Sequence, residues 1–272
     1  MIKNKETKEA SARPAIALSN YRHKKILEML YQRKSVSADE LAAEFSVSKI
    51  TIRRDLDALA GDKLLERTRG GAVSISGLGL EEFFEQKDHS AKKEKSLIGR
   101  YVASLISENE TLFVNAGSTT LELVRHLQGK KVAVATNNAA CLSLELDPRM
   151  ELILLGGDYR ALSKSLVGDM TLTALHSIYS STTVLGINGV SIKKGCTTAV
   201  HQETSINRAM IENSSGKVIV VADHTKMNTV SSFLTCPLNR IDLLVTDWMA
   251  PLSFCEELEQ AGLRVVRVPE EA

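Results

Sequence analysis

Long apolar runs are missing from this sequence. Nowhere do about 18 consecutive apolar residues occur, which excludes a membrane-spanning helix. The stretch from Met1 to Ser11 is polar with alternating charge and lacks the apolar core of a secretion signal, so a cytoplasmic protein is expected. Cysteine is scarce: Cys141, Cys196, Cys236 and Cys255 stand apart with no Cys-x-x-Cys or other ligand spacing, which predicts reduced, mostly buried thiols and no zinc module. Charge of one sign is lacking too, since the net charge is +1. That excludes a generally basic coating protein, and any contact with nucleic acid has to be concentrated on a patch. There is no internal repeat, no low-complexity tract and no Gly-x-Ser-x-Gly nucleophile elbow.

Such a patch is present near the start. Ile26, Leu27 and Leu30 form the apolar side of a helix over residues 21–33, and Ser37 is placed to cap a second helix carrying Leu41, Ala42 and Phe45. After the short turn Ser46-Val47, Ser48 caps a third helix. Its 100° period puts Ile52, Leu56 and Leu59 on a core side and Ile50, Arg54, Asp57 and Ala58 on the opposite side, with Thr51 and Arg53 on the flanks. Helix, capped helix, tight turn, capped helix is the helix-turn-helix order, whose last helix enters the DNA major groove. The following Leu64-Leu65-Glu66-Arg67-Thr68-Arg69-Gly70-Gly71 reads as a β-hairpin wing, with Arg67 and Arg69 on one strand face along a phosphate backbone. Residues 20–76 carry 11 Lys/Arg and 8 Asp/Glu, a local +3.

This order, with Ser48-x-x-Thr51-Ile52-Arg53-Arg54-Asp55-Leu56-x-x-Leu59 and Arg67-Thr68-Arg69-Gly70-Gly71-Ala72, resembles the DNA-binding half of the DeoR family of transcription regulators. The DNA-binding set is Ser37, Ser48, Lys49, Ile50, Thr51, Arg53, Arg54, Arg67, Arg69, Gly70 and Gly71. Arg54 and Ile50 are the base-reading candidates, through guanine O6/N7 and a thymine methyl. Lys49, Thr51, Arg53, Arg67 and Arg69 are expected to position the helix through phosphates.

At 272 residues the chain exceeds the usual domain of about 100–200, so two domains are expected. Residues 1–19 read as a disordered tail, 20–76 as the winged helix-turn-helix, 77–91 as a linker and 92–272 as a second domain. A single helix from Glu81 to about Ile106 is predicted, with residues 91–95 exposed. Beyond it, strands are predicted at 111–115, 131–136, 151–155, 182–187, 217–222, 241–246 and 263–268, and helices at 119–127, 139–145, 170–178, 203–213 and 253–260. The alternation, with near-continuous apolar strands, specifies an α/β domain on a mostly parallel sheet covered on both faces.

Open α/β sheets bind ligands at the carboxyl ends of their strands. There this sequence puts Asn115, Gly117, Ser118, Thr119 and Thr120, then Thr136 and Asn137, Gly156 and Gly157, Gly186, Asn188 and Gly189, Thr198, Glu203, and Asp223 with Lys226. Hydroxyls and free N–H groups at a helix start suit a phosphate. Lys226 supplies a cation, and Glu203 or Asp223 accepts bonds from sugar hydroxyls. This half resembles the effector-binding domain of the same DeoR family, a fold similar to ribose-5-phosphate isomerase and coenzyme A transferases. The resemblance implies a phosphorylated sugar or sugar derivative as effector. In one departure, Asn115 stands where many relatives have aspartate.

An isomerase would need a base and groups that stabilise an enediolate. The related enzymes place acidic residues after the equivalent of the fourth strand, where this chain has Gly186-Ile187-Asn188-Gly189-Val190-Ser191-Ile192, without an ionisable group. His201-x-Glu203 offers at most two metal ligands with no Cys/His cluster beside it. The expectation is therefore a regulator with no catalytic residues, no metal and no cofactor. Its partners are double-stranded operator DNA, a phosphosugar and further copies of itself, since one winged domain buries too little surface for selective binding. A repressor relieved by its effector is the reading favoured; an isomerase-like enzyme with an accessory DNA-binding domain and an activator are the alternatives.

Overall fold

A computed structural model describes residues 21–23, 25–27, 29–30, 33, 35–61, 65–73 and 84–270, which fall into two compact units divided between Leu80 and Glu81. The expected tail, and residues 77–83 of the expected linker, lie outside the described residues.

In the N-terminal unit the helical residues Ile26 and Leu30 pack with Leu41, Ile52, Leu56 and Leu59 into one apolar core. The chain runs through β1 (Ser35–Ser37), α1 (Ala38–Glu44), α2 (Lys49–Gly61), β2 (Glu66–Arg67) and β3 (Gly71–Val73). Ser37 Oγ accepts the Glu40 N–H at 3.0 Å and Ser48 Oγ accepts the Thr51 N–H at 3.2 Å, so both serines cap helices as their positions predicted. The turn between them is made by Ser46 at φ 52°. The hairpin β2–β3 is antiparallel and β1 adds to its other side in the order β1-β3-β2.

The C-terminal unit continues with α3 (Phe84–His89), α4 (Lys92–Leu105), β4 (Thr111–Val114), α5 (Ser118–His126), β5 (Ala133–Thr136), β6 (Glu151–Leu154), β7 (Asp158–Arg160), β8 (Ser165–Val167), α6 (Asp169–His176), β9 (Ser180–Gly186), β10 (Gly189–Ser191), β11 (Gly195–Thr198), α7 (His201–Glu212), β12 (Ser214–Val221), β13 (Phe233–Cys236), β14 (Leu243–Asp247), α8 (Leu252–Gln260) and β15 (Val265–Val268). Seven strands form one sheet in the order β15-β14-β12-β9-β4-β5-β6, and every pairing in it is parallel. Alternation along each strand splits the core. Phe113, Leu185 and Val220 join Ile206, Met210 and Leu258 on one face. Leu112, Val184 and Val221 join Ile98, Val102 and Leu121 on the other.

The structure departs from the sequence reading in six places. The helix predicted from Glu81 to Ile106 breaks at Ala91, which sits at φ 49° and separates α3 from α4. Residues 84–91 are not linker, because Phe84 is buried in the second core. Lys95, expected on an exposed face, is only 3 % exposed. Residues 139–143 form a 3₁₀ turn instead of an α-helix, and the hairpin β7–β8 and the sheet β10-β11-β13 were not anticipated.

Candidate nucleic-acid interface and small-molecule pocket

The exposed side of α2 follows from its period. With Ile52, Leu56 and Leu59 inside, Ile50, Arg53, Arg54, Asp57 and Ala58 face solvent, and Ile50 is 64 % exposed. Asp55, also buried, accepts two bonds from Arg22, Nε at 2.5 Å and Nη2 at 2.9 Å, and lies 3.0 Å from His23 Nε2. This charged fork fixes α2 to the preceding helical residues and so sets the direction of Arg53 and Arg54. Lys49 pairs with Asp39 at 2.7 Å on the surface, and Thr51 Oγ1 is 2.9 Å from Ser48 Oγ.

Two wing assignments change. β2 ends at Arg67, so Arg69 sits in the following bend and the two do not share a strand face. Arg67 turns inward to Asp57 and to the Gly71 carbonyl, while Arg69 is exposed. Gly71 is buried, and a Cβ there would lie 1.9 Å from the Val36 carbonyl oxygen. Close approach of β1 and β3 therefore demands this glycine, which presents no surface to DNA. Gly70 is exposed, and its carbonyl accepts the Ala38 N–H at 2.8 Å.

At the carboxyl ends of β4, β9 and β12 lies a pocket that is partly open to solvent. Of the expected residues it gathers Gly117, Ser118, Thr119, Gly186, Asn188, Glu203, Asp223 and Lys226. The α5 N-terminus starts at Ser118, so its unpaired N–H groups and positive dipole end lie at the wall. Glu203 accepts the Ser165 hydroxyl at 2.8 Å, and Asp223 Oδ1 accepts the Thr225 N–H at 3.0 Å.

The other expected residues lie outside the pocket lining and build the turns behind it. Asn115 is spent on the fold: its Nδ2 donates to Gly186 O at 2.8 Å and Asn207 Oδ1 at 2.9 Å, and its Oδ1 accepts the Gly186 N–H at 2.8 Å. Thr120 donates to the carbonyls of Asn115 and Gly117. Thr136 accepts the Asn138 N–H, and Asn137 bridges Ala116 to Leu166. Gly156 accepts from Thr171, and Gly157 sits at φ 137°, where a Cβ would strike Thr171 Oγ1 at 2.1 Å. A Cβ on Gly189 would lie 2.5 Å from Thr229 O. Thr198 bonds Thr235 and Asn207. His224 pairs with Asp247 at 3.0 Å, not with its neighbour Asp223.

Sequence reasoning missed Phe84, Lys87, Lys95 and Ser163, all in the lining. Lys95 donates to the carbonyls of Lys87 and Ser90, closing the α3–α4 corner, and its Nζ lies 3.9 Å from Asp223 Oδ2. A signal for it existed: Lys95 is three residues before Ile98 and seven before Val102, on the buried stripe of its helix. Three lysines and two acids, Lys87, Lys95, Lys226, Glu203 and Asp223, thus line the pocket.

The comparisons cover both units. Residues 22–77 match the DeoR-like helix-turn-helix domain and residues 90–248 match the DeoR C terminal sensor domain. The chain belongs to the DeoR family of transcriptional regulators. Similar relatives of this DeoR-family protein include the HTH-type transcriptional regulator GlpR of Haloferax volcanii, 31 % identical over 90 % of the chain and 96 % of that protein. The glycerol-3-phosphate regulon repressor of Escherichia coli is 33 % identical over 87 % of the chain and 94 % of its own length. The lactose phosphotransferase system repressor of Lactococcus lactis is 33 % identical over 88 % and 95 %. Among solved structures, ribose 5-phosphate isomerase A of Methanocaldococcus jannaschii is similar over 51 % of this chain and 55 % of its own, at TM-score 0.38 and 12 % identity, a distance at which nothing about activity follows. Membership makes this DeoR-family chain a DNA-binding transcriptional regulator and not an enzyme. Among the described residues no helix is long and apolar enough to cross a membrane.

Proposed function

We propose that this regulator is a cytoplasmic repressor of a sugar-metabolism operon, released from its operator when a phosphorylated sugar or sugar derivative occupies the pocket. The observation that carries this reading is that Lys87, Lys95, Lys226, Glu203 and Asp223 line one pocket together with the α5 N-terminus. Ammonium groups and helix N–H groups favour a phosphate, and carboxylates accept from sugar hydroxyls. The names of the glycerol-3-phosphate and lactose system repressors point the same way. Arg54 and Ile50 read base edges, and Lys49, Thr51, Arg53 and Arg69 hold phosphates. At least a dimer binds repeated half-sites, because one winged module buries too little surface for selective affinity.

Release requires that the ligand favour the form off DNA, since equal affinity for both forms shifts nothing. The test is a melting-temperature screen of phosphorylated sugars against their unphosphorylated parents, followed by operator binding measured by fluorescence anisotropy. A true ligand stabilises by about 2.7 kcal/mol at about 100 times its Kd and weakens operator binding. A ligand that tightened operator binding would overturn release, and a reporter gene that falls when the protein is deleted would overturn repression in favour of activation.

A further inference from the structure

Two cysteines that the sequence keeps 40 residues apart are brought opposite one another on adjacent strands. Cys196 on β11 and Cys236 on β13 are directly paired residues of an antiparallel ladder. Residues opposite one another in such a ladder have Cα atoms about 4.5–5.5 Å apart, inside the window of about 4.4–6.8 Å that a disulfide needs. The backbones are close because Gly195, at φ 67°, has no side chain: a Cβ there would lie 2.4 Å from the Cys236 carbonyl oxygen. We infer that Cys196 and Cys236 form a reversible dithiol–disulfide site, closed by hydroperoxides and reopened by thiols.

The chemistry separates Cys236 from the other cysteines, Cys196 included, whose thiol is pushed up. Burial pushes the Cys141 thiol up to about 12 and raises Cys255. Cys236 moves the other way, held down by the hydrogen bond from Cys196 and then by the guanidinium groups of Arg240 and Arg208, against the effect of burial. Cys236, on the outer strand and the less deeply buried of the two, takes the attacking role. Its sulfur forms a bond to one peroxide oxygen as the O–O bond breaks; the leaving oxygen takes a proton, giving an alcohol or water and a Cys236 sulfenic acid. Cys196 sulfur then bonds to Cys236 sulfur, and hydroxide leaves with the Cys196 proton as water. Two thiols lose two electrons and the hydroperoxide gains them.

Access comes from position. Cys236 is 4 % exposed, but β13 is an outer strand of the sheet β10-β11-β13, and its residues Phe233 and Leu234 are exposed. Outer strands with solvent-facing side chains open locally at less cost than central ones. Closing the bond would staple β11, which leads into α7 and Glu203, to β13, whose Leu234 and Thr235 carbonyls accept from Arg208 of α7.

The test uses the full-length reduced protein treated with hydrogen peroxide, blocked with N-ethylmaleimide and mapped by mass spectrometry. The expected result is a Cys196–Cys236 cross-linked peptide at a mass lower by about 2 Da, lost on dithiothreitol treatment, while Cys141 and Cys255 stay reduced. Both thiols remaining blockable after peroxide, or links joining other cysteines, would overturn the assignment. Cys196→Ser should leave Cys236 as a sulfenic acid trapped by dimedone, and absence of that adduct would overturn Cys236 as the attacking group. If that variant folds poorly, the wild-type cross-link map decides alone.

Discussion

Lys95 and Asp223 face each other across 3.9 Å with 4 % and 2 % of their side chains exposed. A buried cation from the α3–α4 corner thus meets a buried carboxylate from the end of β12, and the pair closes one side of the ligand pocket. Replacing Lys95 by Met keeps the bulk but strands the carbonyls of Lys87 and Ser90 and leaves Asp223 without its cation. Removing one member of a buried pair costs about 3–5 kcal/mol. Lys95→Met should lower the melting temperature of the C-terminal unit accordingly in a denaturation series. Adding Asp223→Asn should recover part of the loss, and a strictly additive double variant would refute the pairing.

The recognition helix and wing offer a contrast in sign. Arg54 stands clear on the outer face of α2, whereas Arg67 donates from Nε to Asp57 Oδ1 at 2.8 Å. Arg54→Ala should cost about 1–3 kcal/mol of operator binding and relax preference at one base pair. Arg67→Ala should cost operator binding less than Arg54→Ala, because its guanidinium is already engaged by Asp57 and the Gly71 carbonyl, and the lost exposed pair should cost about 0.2–1 kcal/mol of stability. Titrations on specific and random duplexes across a salt series read both. A full unit of salt slope lost with Arg67 would return it to the phosphate.

How much of this was readable beforehand depended on burial pattern. The seven strands of the parallel sheet stood out because both faces are covered and residues such as Val218-Ile219-Val220-Val221 are all apolar. The short strands β10 and β11, Gly-Val-Ser and Gly-Cys-Thr-Thr, carry no alternation and were invisible. Half the turn residues expected to touch ligand lie outside the pocket lining. Asn115, Thr120 and Asn137 spend their hydrogen bonds on neighbouring turns. The corner that brings Lys87 and Lys95 to the pocket carries no local signal, since Ala91 adopts a left-handed conformation that alanine rarely takes; only the place of Lys95 on the buried stripe of its helix pointed inward.

Asn115 provides a direct test of that division between scaffold and contact. Its amide donates twice and accepts once in a site 3 % exposed. Aspartate at this position cannot donate, and its carboxylate would face the Gly186 carbonyl. Asn115→Asp should therefore destabilise by about 1–3 kcal/mol for the unmade bonds, seen as a lower urea midpoint at neutral pH. Unchanged stability with lost sugar-phosphate binding would make Asn115 a contact residue instead.

At the opposite edge of the sheet, Glu110 predicts a pH dependence. Burial alone would raise its carboxyl, but bonds from the Thr182 hydroxyl, the Ser107 backbone N–H and the Ser181 hydroxyl together hold it below the usual carboxylate range. A carboxyl more acidic folded than unfolded stabilises above its unfolded pKa, and that contribution fades as pH falls through its folded value. Glu110→Gln should therefore lower the melting temperature at pH 7, and its gap to wild type should shrink steadily below about pH 4. Because Glu110 is only half-buried, the effect should be at most about 1 kcal/mol. A gap that instead widened on acidification would mean that desolvation dominates, and that the three donors do not hold the charged form.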